Sequence, residues 1–141
     1  MKITKNGLIT GLINAVLGLL IAVGPHTLFA VCEAMDGKYM KCHWTALAES
    51  GAGGIAAVLG LYLIFSCSVQ TRKGVQLSLL PVYIVSVLIP DVLTGVCGGE
   101  HMICRSLTLP LLNILGFAGV AAGAVNLVYL IKGKEKQDEK E

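Results

Sequence analysis

Two stretches of this chain carry nearly the same arrangement of reactive residues. "PHTLFAVC" runs from Pro25 to Cys32, and "PDVLTGVC" runs from Pro90 to Cys97. Each is followed by a second cysteine with Met two residues ahead of it, "MKC" ending at Cys42 and "MIC" ending at Cys104. Thiols so placed can close local disulfides, Cys32–Cys42 and Cys97–Cys104, although four cysteines allow three connectivities. Loops this short would contribute about 2.5–3 kcal/mol each in the chain-entropy account. A redox-active pair is the alternative, but neither pair has the tight two-residue spacing of exchange sites, which favours a structural staple. Around them stand His43, His101, Met40 and Met102. Met, His and thiolate together suit copper(I), and His suits haem. Disulfide formation would withdraw the thiolates, and a lone His beside a helix end is more often a polar cap, so no metal site is assigned.

Three further groups could bind. His26 and Asp91 each follow the proline of their phrase, and His43 and Arg105 each follow its last cysteine. Matched positions near a two-fold axis approach each other, so His26 and Asp91 could pair at the outer rim; far from the axis they would simply sit at the interface. Glu49 is the one acid well inside an apolar run. An ionisable group there is a functional candidate by default, weighed against a carboxylate that merely snorkels near the helix start. Trp44 is expected at the outer membrane interface. Thr45 and Glu49, four apart, share a helix face. Beside them Ala46 and Ser50 should meet another helix, placing Glu49 at a seam where it needs a donor from a neighbour.

The elements that hold these groups are membrane helices. The chain has 141 residues, 55% hydrophobic and only 14% charged, with a mean hydropathy of +0.75. Soluble domains carry about a quarter charged residues. Four apolar runs, roughly Gly7–Ala30, Trp44–Ser66, Val75–Pro90 and Leu107–Ile131, approach the ~20 residues that cross a bilayer as helix. They lack the two-residue alternation of barrel strands. Pro81 interrupts the third and is expected to kink it. Residues 1–131 thus form a transmembrane domain and 132–141 a charged cytoplasmic tail. Lys2 and Lys5 before the first run resemble a signal peptide, but that run ends in the phrase that also ends the third, so it reads as permanent.

Lys2, Lys5, Arg72, Lys73, Lys132, Lys134, Lys136 and Lys140 fall on one side, against Lys38, Lys41 and Arg105 on the other. Both termini are therefore expected in the cytoplasm of a multi-pass cell-membrane protein, with the cysteine-bearing loops outside. That split matches redox compartment: Cys67, at the inner end of the second helix, would stay reduced. The basic residues form no stripe for nucleic acid.

Each phrase with its flanking helices makes one hairpin, and both hairpins run in the same sense. The expected fold is all-α: a polytopic four-helix bundle made of a duplicated helical hairpin with a pseudo-two-fold axis along the membrane normal. Small residues every four positions (Gly7/Gly11, Ala46/Ser50/Gly54, Gly119/Gly123, Ala118/Ala122/Asn126) would let the helices approach closely. In the second copy Leu111 stands where the first has Glu49.

The stretch "MKCHWTALAE", Met40–Glu49, resembles the signature of a small bacterial family of four-helix membrane proteins without established function, carried by Cys42, His43, Trp44, Thr45 and Glu49. The resemblance implies an accessory role beside ABC-type permeases. A second likeness is architectural: four helices with a cysteine pair in each outer loop are similar to quinone-linked thiol oxidases, although the tight Cys-x-x-Cys is lacking. With no phosphate-cradling loop, the chain cannot energise transport alone. It therefore reads as a non-enzymatic accessory or ligand-binding module in the lipid bilayer, partnering another membrane protein such as a transporter, or itself as a homo-oligomer. The alternatives are a quinone-linked membrane thiol-disulfide oxidoreductase and a haem- or copper-binding membrane protein. Non-reducing peptide mapping should recover Cys32 joined to Cys42 and Cys97 joined to Cys104. Crosslinks between the two loops, or four free thiols, would refute the local staples.

Overall fold

A computed structural model describes residues 5–28, 37–38, 41–66, 68–94 and 104–138. It contains α1 (Lys5–Thr27), α2 (Lys41–Phe65), α3 (Val69–Leu88) and α4 (Leu109–Asp138). A π-helical turn, Ile89–Leu93, extends α3, and a second, Cys104–Thr108, leads into α4. Each helix is long and apolar enough to cross a membrane, over Lys5–Thr27, Lys41–Phe65, Val69–Leu93 and Ser106–Gly133. The protein is a helical bundle and a multi-pass membrane protein. In hydrocarbon every backbone N–H and C=O must be satisfied within the structure, and helices do this segment by segment.

The third span is longer than its hydropathy suggested. Only residues 66–68 separate α2 from α3, so Arg72 and Lys73 lie inside the helix and not in a loop. Arg72 is buried, only 3% exposed. The helix continues through Pro81, which sits on the lipid-facing side. At the other end of the chain, α4 runs to Asp138 and takes up part of the charged tail.

Burial explains how the helices meet. On α1 the buried stripe is Gly7, Gly11, Asn14, Gly18, Ile21 and Pro25. On α3 it is Arg72, Gln76, Leu79, Tyr83, Ser86 and Pro90. The steps alternate four and three, as they do along α2 through Cys42, Ala46, Glu49, Gly53, Ala56, Gly60 and Leu63. On α4, Gly116, Gly119, Gly123, Asn126 and Leu130 keep the same rhythm. A period near 3.5 is that of helices crossing at a shallow left-handed angle. α1 packs most extensively on α2, and α3 on α4.

The α1–α2 seam is a backbone contact. A Cβ on Gly18 would sit 2.4 Å from the Ala57 nitrogen, and one on Gly53 would sit 2.5 Å from the Ala22 nitrogen. A Cβ on Gly60 would sit 2.5 Å from the Ala15 nitrogen, and one on Gly11 would sit 2.8 Å from the Gly60 carbonyl oxygen. The operative spacing is therefore seven, Gly11/Gly18 against Gly53/Gly60. Gly54, placed in the seam by the four-residue reading, meets nothing within 4 Å, and Ala118 is exposed. In the α3–α4 hairpin the small residues stand on one helix only. Gly116 receives Val87, Gly119 receives the Tyr83 ring, and Gly123 lies under Gln76 and Leu80.

These seams give sharp expectations for thermal unfolding in detergent. Gly18→Ala and Gly53→Ala should each lose about 1–3 kcal/mol, since backbone atoms cannot swing aside as a side-chain tip does. Gly54→Ala, on the open face, should be neutral or gain up to ~1 kcal/mol of helix propensity. Equal tolerance at all three positions would refute the close backbone contact.

Candidate functional site

Glu49 lies on the buried stripe of α2, a little over two turns from the helix start, with no solvent exposure. Ser86 of α3, itself 1% exposed, donates from Oγ to Glu49 Oε2 at 2.5 Å. Among the described residues nothing partners the other oxygen, Oε1. The neighbouring helix thus supplies one neutral donor, and half of the carboxyl is left unsatisfied. A buried carboxylate needs an adjacent cation or several donors to balance what it loses on leaving water.

One turn nearer the start of α2, a second link joins the same two helices. Thr45 Oγ1 lies 2.7 Å from Thr94 Oγ1, and Thr94 closes the π-turn through its N–H to the Ile89 carbonyl at 3.0 Å. Thr45 and Glu49 both face inward, as their four-residue spacing requires. Inward of Glu49 and Ser86 comes an apolar cluster of Ile21, Ala56, Leu63, Leu79 and the Tyr83 ring. The Tyr83 hydroxyl reaches past it to donate to Asn14 Oδ1 at 3.0 Å. Beyond lies an amide layer: Asn14 Nδ2 donates to the Thr10 carbonyl at 2.8 Å, and Asn126 Nδ2 donates to Gln76 Oε1 at 3.1 Å. Asn6 Nδ2 donates to Asn126 Oδ1 at 3.4 Å, and the Thr10 hydroxyl donates to the Asn6 carbonyl. Gln76 Nε2 is buried without a partner among the described residues. The interior therefore holds two polar clusters, one around Glu49 and one of amides, beside the apolar one.

The remaining candidates lie elsewhere. His26 is exposed, with Nε2 2.8 Å from Ser50 Oγ. The Ser50 hydroxyl has one hydrogen and two carbonyls in reach, Ala46 at 2.8 Å and Ala22 at 3.0 Å. With that hydrogen on a carbonyl, the His26 N–H donates to Ser50. Asp91 is exposed and accepts from Asn113 Nδ2 at 3.1 Å. His26 and Asp91 do not pair, because each group faces the seam of its own hairpin and not the central axis. His43 packs edge-on against Trp44, with ring centroids 6.1 Å apart. Trp44 is 57% exposed, and Cys42 is buried. Cys32, Cys97, Met40, His101 and Met102 lie outside the described residues, as do the side chains of Cys104 and Arg105. Neither disulfide nor the loop metal set can therefore be placed. Among the described residues no three His, Cys, Asp or Glu side chains gather as ligands.

The two hairpins share one register. His26 meets Ser50, and Asp91 meets Asn113. Gly53 meets Ala22 and Gly18, while Gly116 meets Val87 and Tyr83. The spacing from Pro25 to Pro90 carries each α1 residue onto its α3 counterpart. Between α2 and α4 the spacing is one residue longer than that from Cys42 to Cys104. The π-turn at Cys104–Thr108 accounts for it, since such a turn takes up one extra residue. In this register Leu112, and not Leu111, stands opposite Glu49, and Ile21 stands opposite Ser86. Both Ile21 and Leu112 are 1% exposed.

Ser86, Tyr83, Asn14, Thr10, Gln76 and Asn126 were not singled out from sequence. The available signal was polar side chains inside apolar runs at four-and-three spacing.

No curated protein and no solved structure matches the chain. Residues 14–129, which span α2 and α3 and the greater part of α1 and α4, match the family described as a domain of unknown function, DUF4418. The chain belongs to that family.

Proposed function

We propose that the protein is a non-enzymatic ligand-binding module of the cell membrane, that Glu49 is its binding group, and that it serves as accessory to another membrane protein such as a transporter. The observation that carries this reading is the Glu49 carboxyl itself: fully buried, held by Ser86 alone, with Oε1 unpartnered among the described residues. A site that needed only to be filled would use hydrocarbon. We infer that the two hairpins arose by duplication, and their common register supplies the control. The positions equivalent to Glu49 and Ser86 hold Leu112 and Ile21, both buried, so at the equivalent places this architecture is filled with hydrocarbon. Exchanging buried polar pairs for well-packed hydrophobes is often neutral or stabilising. Retaining the acid in one hairpin alone is then a choice made for binding. The outer loops, stapled by Cys32–Cys42 and Cys97–Cys104, would cap the module outside, with both termini in the cytoplasm.

The test copies one hairpin into the other. The double variant Glu49→Leu with Ser86→Ile should keep its helicity and unfold within about 1 kcal/mol of the parent. Native mass spectrometry of both proteins released from membranes should show a bound small molecule or partner in the parent and its loss in the variant. Identical bound species in both would remove Glu49 from any binding role, and collapse of the variant would make the pair structural.

A further inference from the structure

An apolar cleft opens between α2 and α3, lined by Ala52, Ile55, Pro81, Val82 and Val85. Its rim faces the lipid: Ile55 is 55% and Val85 44% exposed, and Pro81 is exposed. Its lining does not include the acid itself, but it includes residues about one turn or less along each helix from Glu49 and Ser86. Ala52 follows Glu49 by three residues, about 4.5 Å along the helix. Val85 adjoins Ser86, and Val82 precedes it by one turn. The two helices that supply the carboxyl and its donor thus also form the walls of the cleft.

We propose that the Glu49 site takes a lipophilic ammonium amphiphile, whose hydrocarbon part lies in the α2–α3 cleft and whose cationic head meets the carboxyl. This deepens the reading of Glu49 as the binding group and rests on it. The chemistry follows from what each part lacks. The cleft offers no polar lining group, so it selects hydrocarbon or aromatic carbon delivered sideways from the bilayer. The carboxyl has one neutral donor and no basic side chain against it among the described residues. An ammonium head supplies the counter-charge and donates to Oε1 in the same contact. A neutral alcohol would donate without compensating charge, and a carboxylate head would be repelled. Ser86 is suited to the exchange: its hydroxyl holds the empty carboxyl by one hydrogen bond and can turn aside on χ1 when the head arrives. Among the described residues no cation pairs with Glu49, so the entering head displaces no buried ion pair.

The probe is radiolabelled dodecylammonium, bound to the full chain in phosphatidylcholine nanodiscs at neutral pH, with empty nanodiscs subtracted. One saturable site per chain is expected. Glu49→Gln should weaken binding by roughly tenfold or more, as loss of one partner of a desolvated charge pair does. Val82→Trp, filling the cleft, should weaken it comparably, and Ala52→Leu provides a second cleft variant where Val82→Trp does not fold. Dodecanol and laurate should not displace the probe. Equal displacement by dodecanol, unchanged affinity in Glu49→Gln, or indifference to both cleft variants would each overturn the proposal. Failure of dodecylammonium to bind while the Glu49→Leu/Ser86→Ile variant still loses its natively bound species overturns the ammonium class alone. No difference in either experiment removes the binding role of Glu49 altogether.

Discussion

Everything in this bundle is referred to the backbone contact between α1 and α2. Lipid removes the hydrophobic drive that pushes helices together in water, so association depends on how closely atoms can approach. Gly11 and Gly18 on one helix and Gly53 and Gly60 on the other bring main chain against main chain. A contact of that kind has one register, because sliding by a residue turns Leu, Ile or Val into the seam. It therefore fixes the height at which α2 presents Glu49 and Thr45 to α3. The second hairpin is built more loosely in kind: Gly116, Gly119 and Gly123 accept side chains of α3 in place of its backbone. Tyr83 and Gln76, which fill those hollows, also anchor the polar contacts across the bundle to Asn14 and Asn126. Size at these α3 positions is what makes the interior of the two hairpins unequal.

The spans, their number and the all-helical fold were legible in hydropathy, because twenty-odd apolar residues have few other destinations. Glu49 was legible for the same reason inverted, as the acid that interrupts such a run. Finer features were hidden by geometry. Small residues every four positions are common in membrane helices, and only the three-dimensional seam shows that the seven-residue set is the one in contact, leaving Gly54 on an open face. Arg72 read as a loop charge because hydropathy windows trim basic residues, yet a connection of only three residues between α2 and α3 draws it into α3. His26 and Asp91 invited pairing by their matched places. Equivalent positions meet across a two-fold axis only if they face it, and these face Ser50 and Asn113.

The π-turn before α4 illustrates how one residue can obscure a register. Aligned from their cysteines, the two hairpins set Leu111 opposite Glu49. Beyond Cys104–Thr108 the α4 contacts run one residue further along than those of α2, and Leu112 takes the equivalent place. A stretch of i→i+5 bonding leaves no trace in hydropathy or composition. It shows only in which side chains end up buried, and it is often found where a helix serves a function.

That register is the ground for the proposal that Glu49 is a binding acid and not merely a tolerated one. Considered alone, a buried Glu bonded to a Ser is a packing solution as much as a site. The bundle contains its own comparison, an Ile and a Leu at the equivalent places, equally buried. The same architecture has thus solved the packing problem once without charge. Keeping Glu49 leaves an oxygen unsatisfied in a low-dielectric interior, a cost of about 1–3 kcal/mol for a neutral group and more for a charged one. The Thr45–Thr94 contact one turn nearer the start of α2 already ties α2 to α3, so Ser86 is not required for that purpose. The unsatisfied oxygen of Glu49 is then the feature the packing does not explain, and the proposed ligand would complete it.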